Sequence, residues 1–233
     1  MDTGLSSSRY AVIGIYDRFS RHRIFVEEAR KYRTVLECGC SNAFLSRLIA
    51  ADGGPSVVGI EREPEAAEEA KQFCQRVIVA DLNSPSWTEQ VDQKFDLITF
   101  GDVLEHLVEP SRTLECASIL LNPGGRILIS LPNIAHWTLR GKLLAGLFEY
   151  QAGGILDITH LRFFTLRTAV EMIRQAGYEP IRFTPTFSGR FTTRCRPLWN
   201  LVTRAMPGLF AYQMIFLVEP SRDPNRLPKE PAT

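Results

Sequence analysis

Five short apolar runs punctuate the chain as far as Leu131, and polar turns with helically spaced segments separate them. Thr34-Val35-Leu36 is a strand end, and from Asn42 onward Phe44, Leu45, Leu48 and Ile49 fall on one side of a helix. Ser56 to Ile60 is a second strand that stops at Glu61, and Pro64 begins a helix through Phe73. Val77 to Ala80 is a third, ending at Asp81-Leu82. Phe95 to Phe100 is a fourth, running straight into Gly101-Asp102-Val103-Leu104-Glu105-His106-Leu107. A helix over Ser111 to Leu120 and a turn at Asn122-Pro123-Gly124-Gly125 precede the fifth strand, Arg126 to Leu131. Successive βα units of this kind predict an α/β fold, a parallel sheet with helices on both faces.

The flanks are less regular. A charged helical pattern from Asp17 to Tyr32 places Phe19, Ile24, Phe25 and Ala29 for packing on the sheet. Tyr16 and Arg23 stand within reach of a ligand there, although packing is the simpler reading. Residues up to Ser8 read as unstructured. Thr138 to Phe148 reads as a helix with Leu139, Leu143, Leu147 and Phe148 on one face. Thr165 is an N-cap for a helix that stops at Ala176-Gly177. After a strand at Ile181-Arg182-Phe183 comes an excursion to Tyr212. It holds Arg190, Arg194, Arg196, Arg204 and a short helix with Leu198, Trp199, Leu201, Val202 and Ala205 on its apolar side. That excursion reads as an acceptor cap, a contact for an anion, a homodimer contact, or plain packing. The expected organisation is a single domain over residues 1–219 with insertions at 138–158 and 184–212. The proline-rich tail, 220–233, reads as disordered by composition.

Bulk properties narrow the partners. The 233 residues suit one domain of ordinary size, and a net charge of +1 argues against a nucleic acid held by a general electrostatic field. The five cysteines, Cys38, Cys40, Cys74, Cys116 and Cys195, show no regular spacing, which suits reduced thiols in a cytoplasmic protein. No apolar run approaches membrane-spanning length.

The turn Glu37-Cys38-Gly39-Cys40-Ser41-Asn42-Ala43 lies at the carboxyl end of the first strand, the edge where open α/β sheets bind ligands. Small residues at 39, 41 and 43 would let a ligand approach the backbone. A dinucleotide site wants Gly-x-Gly-x-x-Gly, and only Gly39 is glycine here. A carboxylate at Glu37 suits an ammonium better than a pyrophosphate, which points to S-adenosylmethionine and away from a nicotinamide or nucleotide-sugar enzyme. Glu61, at the end of the second strand, is placed to accept both ribose hydroxyls, or else caps the helix behind it. Asp81-Leu82 is placed for the adenine edge, or is a solvated loop. The candidate cofactor contacts are therefore Glu37, Gly39, Cys40, Ser41, Ala43, Phe44, Glu61, Arg62, Asp81, Leu82, Gly101 and Asp102.

This ordered series resembles the motifs of class I S-adenosylmethionine-dependent methyltransferases. It covers roughly Val35 to Phe183, with Leu121-Asn122-Pro123-Gly124-Gly125 among its signatures. The resemblance implies a Rossmann-like sandwich, a seven-stranded sheet whose last strand, Met214 to Glu219, runs antiparallel. The run from Gly153 through Asp157, His160 and Arg162 to Thr165 further resembles bacterial O-methyltransferases acting on small molecules or saccharides.

Chemistry at an oxygen acceptor needs a base or a metal ion to remove or weaken its proton. His160 is the first candidate, His136 the second, and His106 a third. Asp102, Glu105 and His106 stand at i, i+3 and i+4, on one face of a helical turn. With His160 they would suit a divalent cation. The sequence resembles metal-dependent O-methyltransferases of ubiquinone biosynthesis and of small-RNA 2′-O-methylation at this acid-x-x-Glu-His motif, with Asp102 where a glutamate is usual. Asp102-x-x-Glu105 reads equally as a capping box. Transfer to a small amine, or a non-catalytic partner that binds S-adenosylmethionine, are the competing functions.

Overall fold

The strand order β3-β2-β1-β4-β5-β7-β6 reverses direction between β1 and β4, and that reversal opens a crevice at their carboxyl ends. In the computed structural model, which describes residues 20–187 and 196–223, the strands are β1 (Thr34–Cys38), β2 (Ser56–Glu61), β3 (Arg76–Val79), β4 (Phe95–Gly101), β5 (Leu121–Pro132), β6 (Tyr178–Thr186) and β7 (Gln213–Pro220). The first five pair in parallel, and β7 lies antiparallel between β5 and β6. This is the seven-stranded Rossmann-like sheet the sequence implied.

Alternation along the strands sends side chains to two cores. Val35, Val57, Leu97, Leu128 and Leu217 meet α1 (Arg21–Ala29), α2 (Phe44–Ala50) and α3 (Pro64–Ala70) through Phe25, Ala29, Ile49 and Ala70. Leu36, Val58, Ile98 and Ile129 face the opposite layer. There α4 (Pro110–Ala117) and α6 (Leu166–Gln175) contribute Leu114, Ala169, Met172 and Ile173. Thr165 caps α6 with a capping box to Thr168, and Gly177 leaves the helix at φ +85°.

Several boundaries differ from the sequence reading. The expected turn at Asn122–Gly125 is absorbed into β5 as an irregularity, because pairing with β4 jumps from Leu121 opposite Phe95 to Arg126 opposite Leu97. Helix α5 (Trp137–Leu144) stops four residues short of Phe148. Gly146, at φ +73°, closes a Schellman cap in which Leu147 N–H donates to Lys142 and Gly146 N–H to Leu143. Leu143, Leu147 and Phe148 are exposed as a result, and only Leu139 of the expected face is buried. In α7 (Arg196–Ala205) Leu198, Leu201 and Ala205 point outward. Thr203 is buried, and Trp199 packs edge-on against Phe210 of the short α8 (Pro207–Phe210). Tyr16, Phe19, Arg190, Arg194, Cys195 and most of the tail fall outside the described residues. Ser221 N–H is bonded to Gly177.

Candidate active site

The turn after β1 is built from left-handed backbone: Gly39 at φ +72°, Ser41 at +48° and Ala43 at +58°. Gly39 N–H and Cys40 N–H both donate to Ile60, and Ser41 N–H donates to Glu61 Oε2 at 2.8 Å. The smallness of Gly39 has a different cause from the expected one. A Cβ there would lie 2.6 Å from Val103 Cγ2, so protein fills the space, not ligand. Glu61 also accepts from the amides of Arg62 and Glu63, so this carboxylate pins the turn to β2. Arg62 is exposed and paired with Glu63. Asp81 accepts from Asn83, and Leu82 belongs to the core.

Beside the turn is a cavity of about 250 Å³. Of the expected cofactor contacts it gathers Glu37, Cys40, Ser41, Phe44 and Gly101, and it adds Arg21, His22, Phe25, Asn42, Leu45 and Ser130. Glu37 is buried and accepts a hydrogen bond from Ser46, yet burial pushes its carboxyl up to about 8. Gly39, Ala43, Glu61, Arg62, Asp81, Leu82 and Asp102 do not line this cavity. Arg21 and His22 were missed by sequence reasoning, which looked to Arg23. Arg23 instead pairs with Glu27 one helical turn on. Desolvation holds His22 down near 4, so it is neutral at pH 7.

Asp102 does not join the metal set. It sits at φ +56°, which breaks the helical turn the spacing suggested; only Leu104–His106 form a tight 3-10 turn. Its carboxylate accepts from Ser130 Oγ and Gln213 Nε2 and pairs with Arg21. The capping box is not formed either, because neither carboxylate oxygen of the buried Glu105 has a partner.

Glu105, His106 and His160 do converge, with one ligand atom from each lying within 4.8 Å of the others. Leu161 N–H and Arg162 N–H both donate to the Glu105 carbonyl and draw the later loop onto the end of β4. His160 Nε2 stands 3.9 Å from Glu105 Oε1. His106 Nδ1 faces the Thr159 carbonyl at 3.2 Å and His160 Nδ1 the Ile155 carbonyl at 3.0 Å. A carbonyl only accepts, so each Nδ1 carries a proton, and in a neutral ring the lone pair lies on Nε2. Burial raises the Glu105 carboxyl to about 8 and lowers His160. His136 stands apart from this group. Its Nδ1 meets Thr138 Oγ1 at 2.7 Å, its ring packs on Tyr212, and desolvation holds it near 4.

A reversed α/β sheet with an acidic, nearly glycine-free turn at its crevice defines a class I S-adenosylmethionine-dependent methyltransferase. The methyltransferase-domain family model matches residues 10–182, most of the chain, and the chain belongs to that family. It is similar to the ubiquinone biosynthesis O-methyltransferase of Coxiella burnetii, 28% identical over 178 residues, 63% of this chain and 74% of that one. The Pseudomonas paraeruginosa enzyme of the same name is 30% identical over 105 residues; the match spans 43% of this chain and 45%, less than half, of that relative. Solved structures share the fold. An S-adenosylmethionine-dependent methyltransferase from Clostridium acetobutylicum aligns with TM-score 0.59 at 13% identity, covering 92% of this chain and 99% of the other. Magnesium protoporphyrin IX methyltransferase from Synechocystis aligns with TM-score 0.56 at 19% identity, covering 93% and 95%. Among the described residues no helix is long and apolar enough to cross a membrane.

Proposed function

We propose that this methyltransferase acts on a hydroxyl of a small molecule or saccharide. The carrying observation is Glu105, a buried carboxyl whose two oxygens have no hydrogen-bond partner, with His160 Nε2 3.9 Å from Oε1 and His106 completing the cluster. An amine already offers a lone pair, whereas a hydroxyl must lose or loosen its proton, and an imidazole of this trio can accept it. The relatives named as O-methyltransferases support oxygen as the acceptor atom.

S-adenosylmethionine, when bound, supplies an electrophilic methyl on a sulfonium. In the cavity Glu37 would receive its ammonium, and Arg21, which also lines it, would complement its carboxylate. Glu61 and Asp81, beyond that cavity, take the ribose and the adenine edge. The donor set of Glu105, His106 and His160 also fits a divalent cation, one carboxylate with two oriented imidazoles, and such an ion would acidify a hydroxyl held beside it. Asp102 is left to fix Arg21 and Ser130. The acceptor oxygen would then attack in line, the C–O bond forming as the C–S bond breaks, with its proton passing toward the His160 imidazole.

Transfer from labelled S-adenosylmethionine to catechol and sugar acceptors, run beside amine acceptors, tests the reading. Wild type should methylate oxygen. Glu105→Gln should lose about 100-fold or more in kcat while S-adenosylhomocysteine binds within about threefold. Transfer confined to amines and indifferent to Glu105→Gln would overturn it.

A further inference from the structure

Two thiols meet over the one residue of β2 that lacks a side chain. A Cβ placed on Gly59 would lie 2.6 Å from Cys40 Sγ and 3.4 Å from Cys74 Sγ. Both sulfurs therefore crowd the volume that a side chain would fill. Cys40 reaches in from the turn after β1, and Cys74 from the segment that leads into β3. The two thiols are neighbours there and both are buried, with Cys40 Sγ also 3.7 Å from the Ser41 carbonyl. Cys40 lines the cavity assigned to the methyl donor.

We propose that Cys40 and Cys74 form a reversible dithiol–disulfide couple, oxidised by peroxide, whose closure weakens binding of the methyl donor. The two sulfurs divide the chemistry. The neighbouring Cys40 thiol lowers Cys74 below the ordinary thiol range and is itself raised, so Cys74 is the readier thiolate and Cys40 the protonated partner. The Cys74 thiolate attacks one peroxide oxygen; the S–O bond forms, the O–O bond breaks, and the departing hydroxide takes up a proton as water. The Cys40 sulfur then attacks the sulfenic sulfur of Cys74. The S–S bond forms, the S–OH bond breaks, and hydroxide leaves with the Cys40 proton as a second water. Two electrons pass from the sulfurs to peroxide, and a dithiol reductant returns them.

A covalent sulfur pair sits closer than two neighbouring thiols. Cys40 lies between left-handed Gly39 and Ser41 in a turn that Glu61 pins, so drawing its sulfur inward displaces the Ser41 amide. The effect on the donor rests on the assignment of the cavity above; the bond itself does not.

The test exposes the full-length chain to hydrogen peroxide, blocks free thiols and maps peptides without reduction. A peptide joining Cys40 to Cys74, released by dithiothreitol, is expected. Calorimetry should show S-adenosylhomocysteine bound about tenfold or more weakly after oxidation, with full recovery on reduction. Cys74→Ser, and Cys74→Ala as a second variant, should bind it normally and ignore peroxide. Oxidised Cys74 with no link to Cys40, or an equal loss of affinity in both variants, would overturn the proposal. Reduced wild type that binds no S-adenosylhomocysteine would instead count against the cavity assignment, and peptide mapping would still decide the bond.

Discussion

The proposed donor half of the crevice has its carboxylates already bonded, whereas the proposed acceptor half leaves the Glu105 carboxyl without a hydrogen bond. Around the turn after β1, Ser41 is tied to Glu61, Ser46 to Glu37, and Asp102 to Ser130 and Gln213. Across the crevice Glu105 has two bare oxygens. Beyond it Leu143, Leu147, Phe148 and Tyr150 are exposed, with Leu144 91% exposed. On the proposed reading, a donor that is always the same molecule would meet a cradle of backbone and already bonded carboxylates, and an acceptor would meet a carboxyl that gains its partner when the acceptor arrives. Buried polar groups without partners are costly in a resting protein, which makes Glu105 the more telling of the two carboxyls.

The sharpest way to break that contrast is to change the acceptor half alone. His160→Ala should lower kcat by about 100-fold or more, with S-adenosylhomocysteine affinity within about threefold of wild type. Equal damage to both would mean that the two halves are one unit.

A smaller effect comes from pH. Glu37 and Glu105 are both raised to about 8 by burial, so the folded chain holds protons that the unfolded chain releases near 4.5. Their contribution to stability is therefore complete below about 4.5 and lost as pH climbs through about 8, and the Tm of the ligand-free protein should fall across that window. An ammonium placed on Glu37 favours the ionised carboxylate. Binding of S-adenosylhomocysteine at pH 7 should then release up to one proton, seen as a buffer-dependent calorimetric heat. Its affinity should rise with pH toward about 8. Heat independent of buffer would remove the coupling.

The strands, their order in the chain and the acidic turn were legible because buried parallel strands and tight turns leave local signals. The Schellman stop at Gly146 was equally local, and the run of apolar residues to Phe148 masked it. Three features were not local. Asp102 has the spacing of a ligand but a left-handed backbone that turns it toward Arg21, and spacing carries no sign of φ. Arg21 and His22 line the cavity, Arg21 paired with Asp102 and His22 packed on Phe44, contacts distant in sequence that no pattern within α1 discloses. Gly39 is small for Val103, and Gly59 for Cys40 and Cys74, contacts made across the sheet by residues far apart in sequence.

Glu37 carries the central claim, that a buried carboxyl beside the turn holds the ammonium of the methyl donor. Calorimetric titration of Glu37→Gln with S-adenosylhomocysteine at pH 8 measures it directly, since glutamine keeps the shape and discards the charge. Loss of a charge-assisted hydrogen bond predicts affinity weakened by about 10- to 100-fold. Affinity equal to that of the unaltered protein would contradict the account.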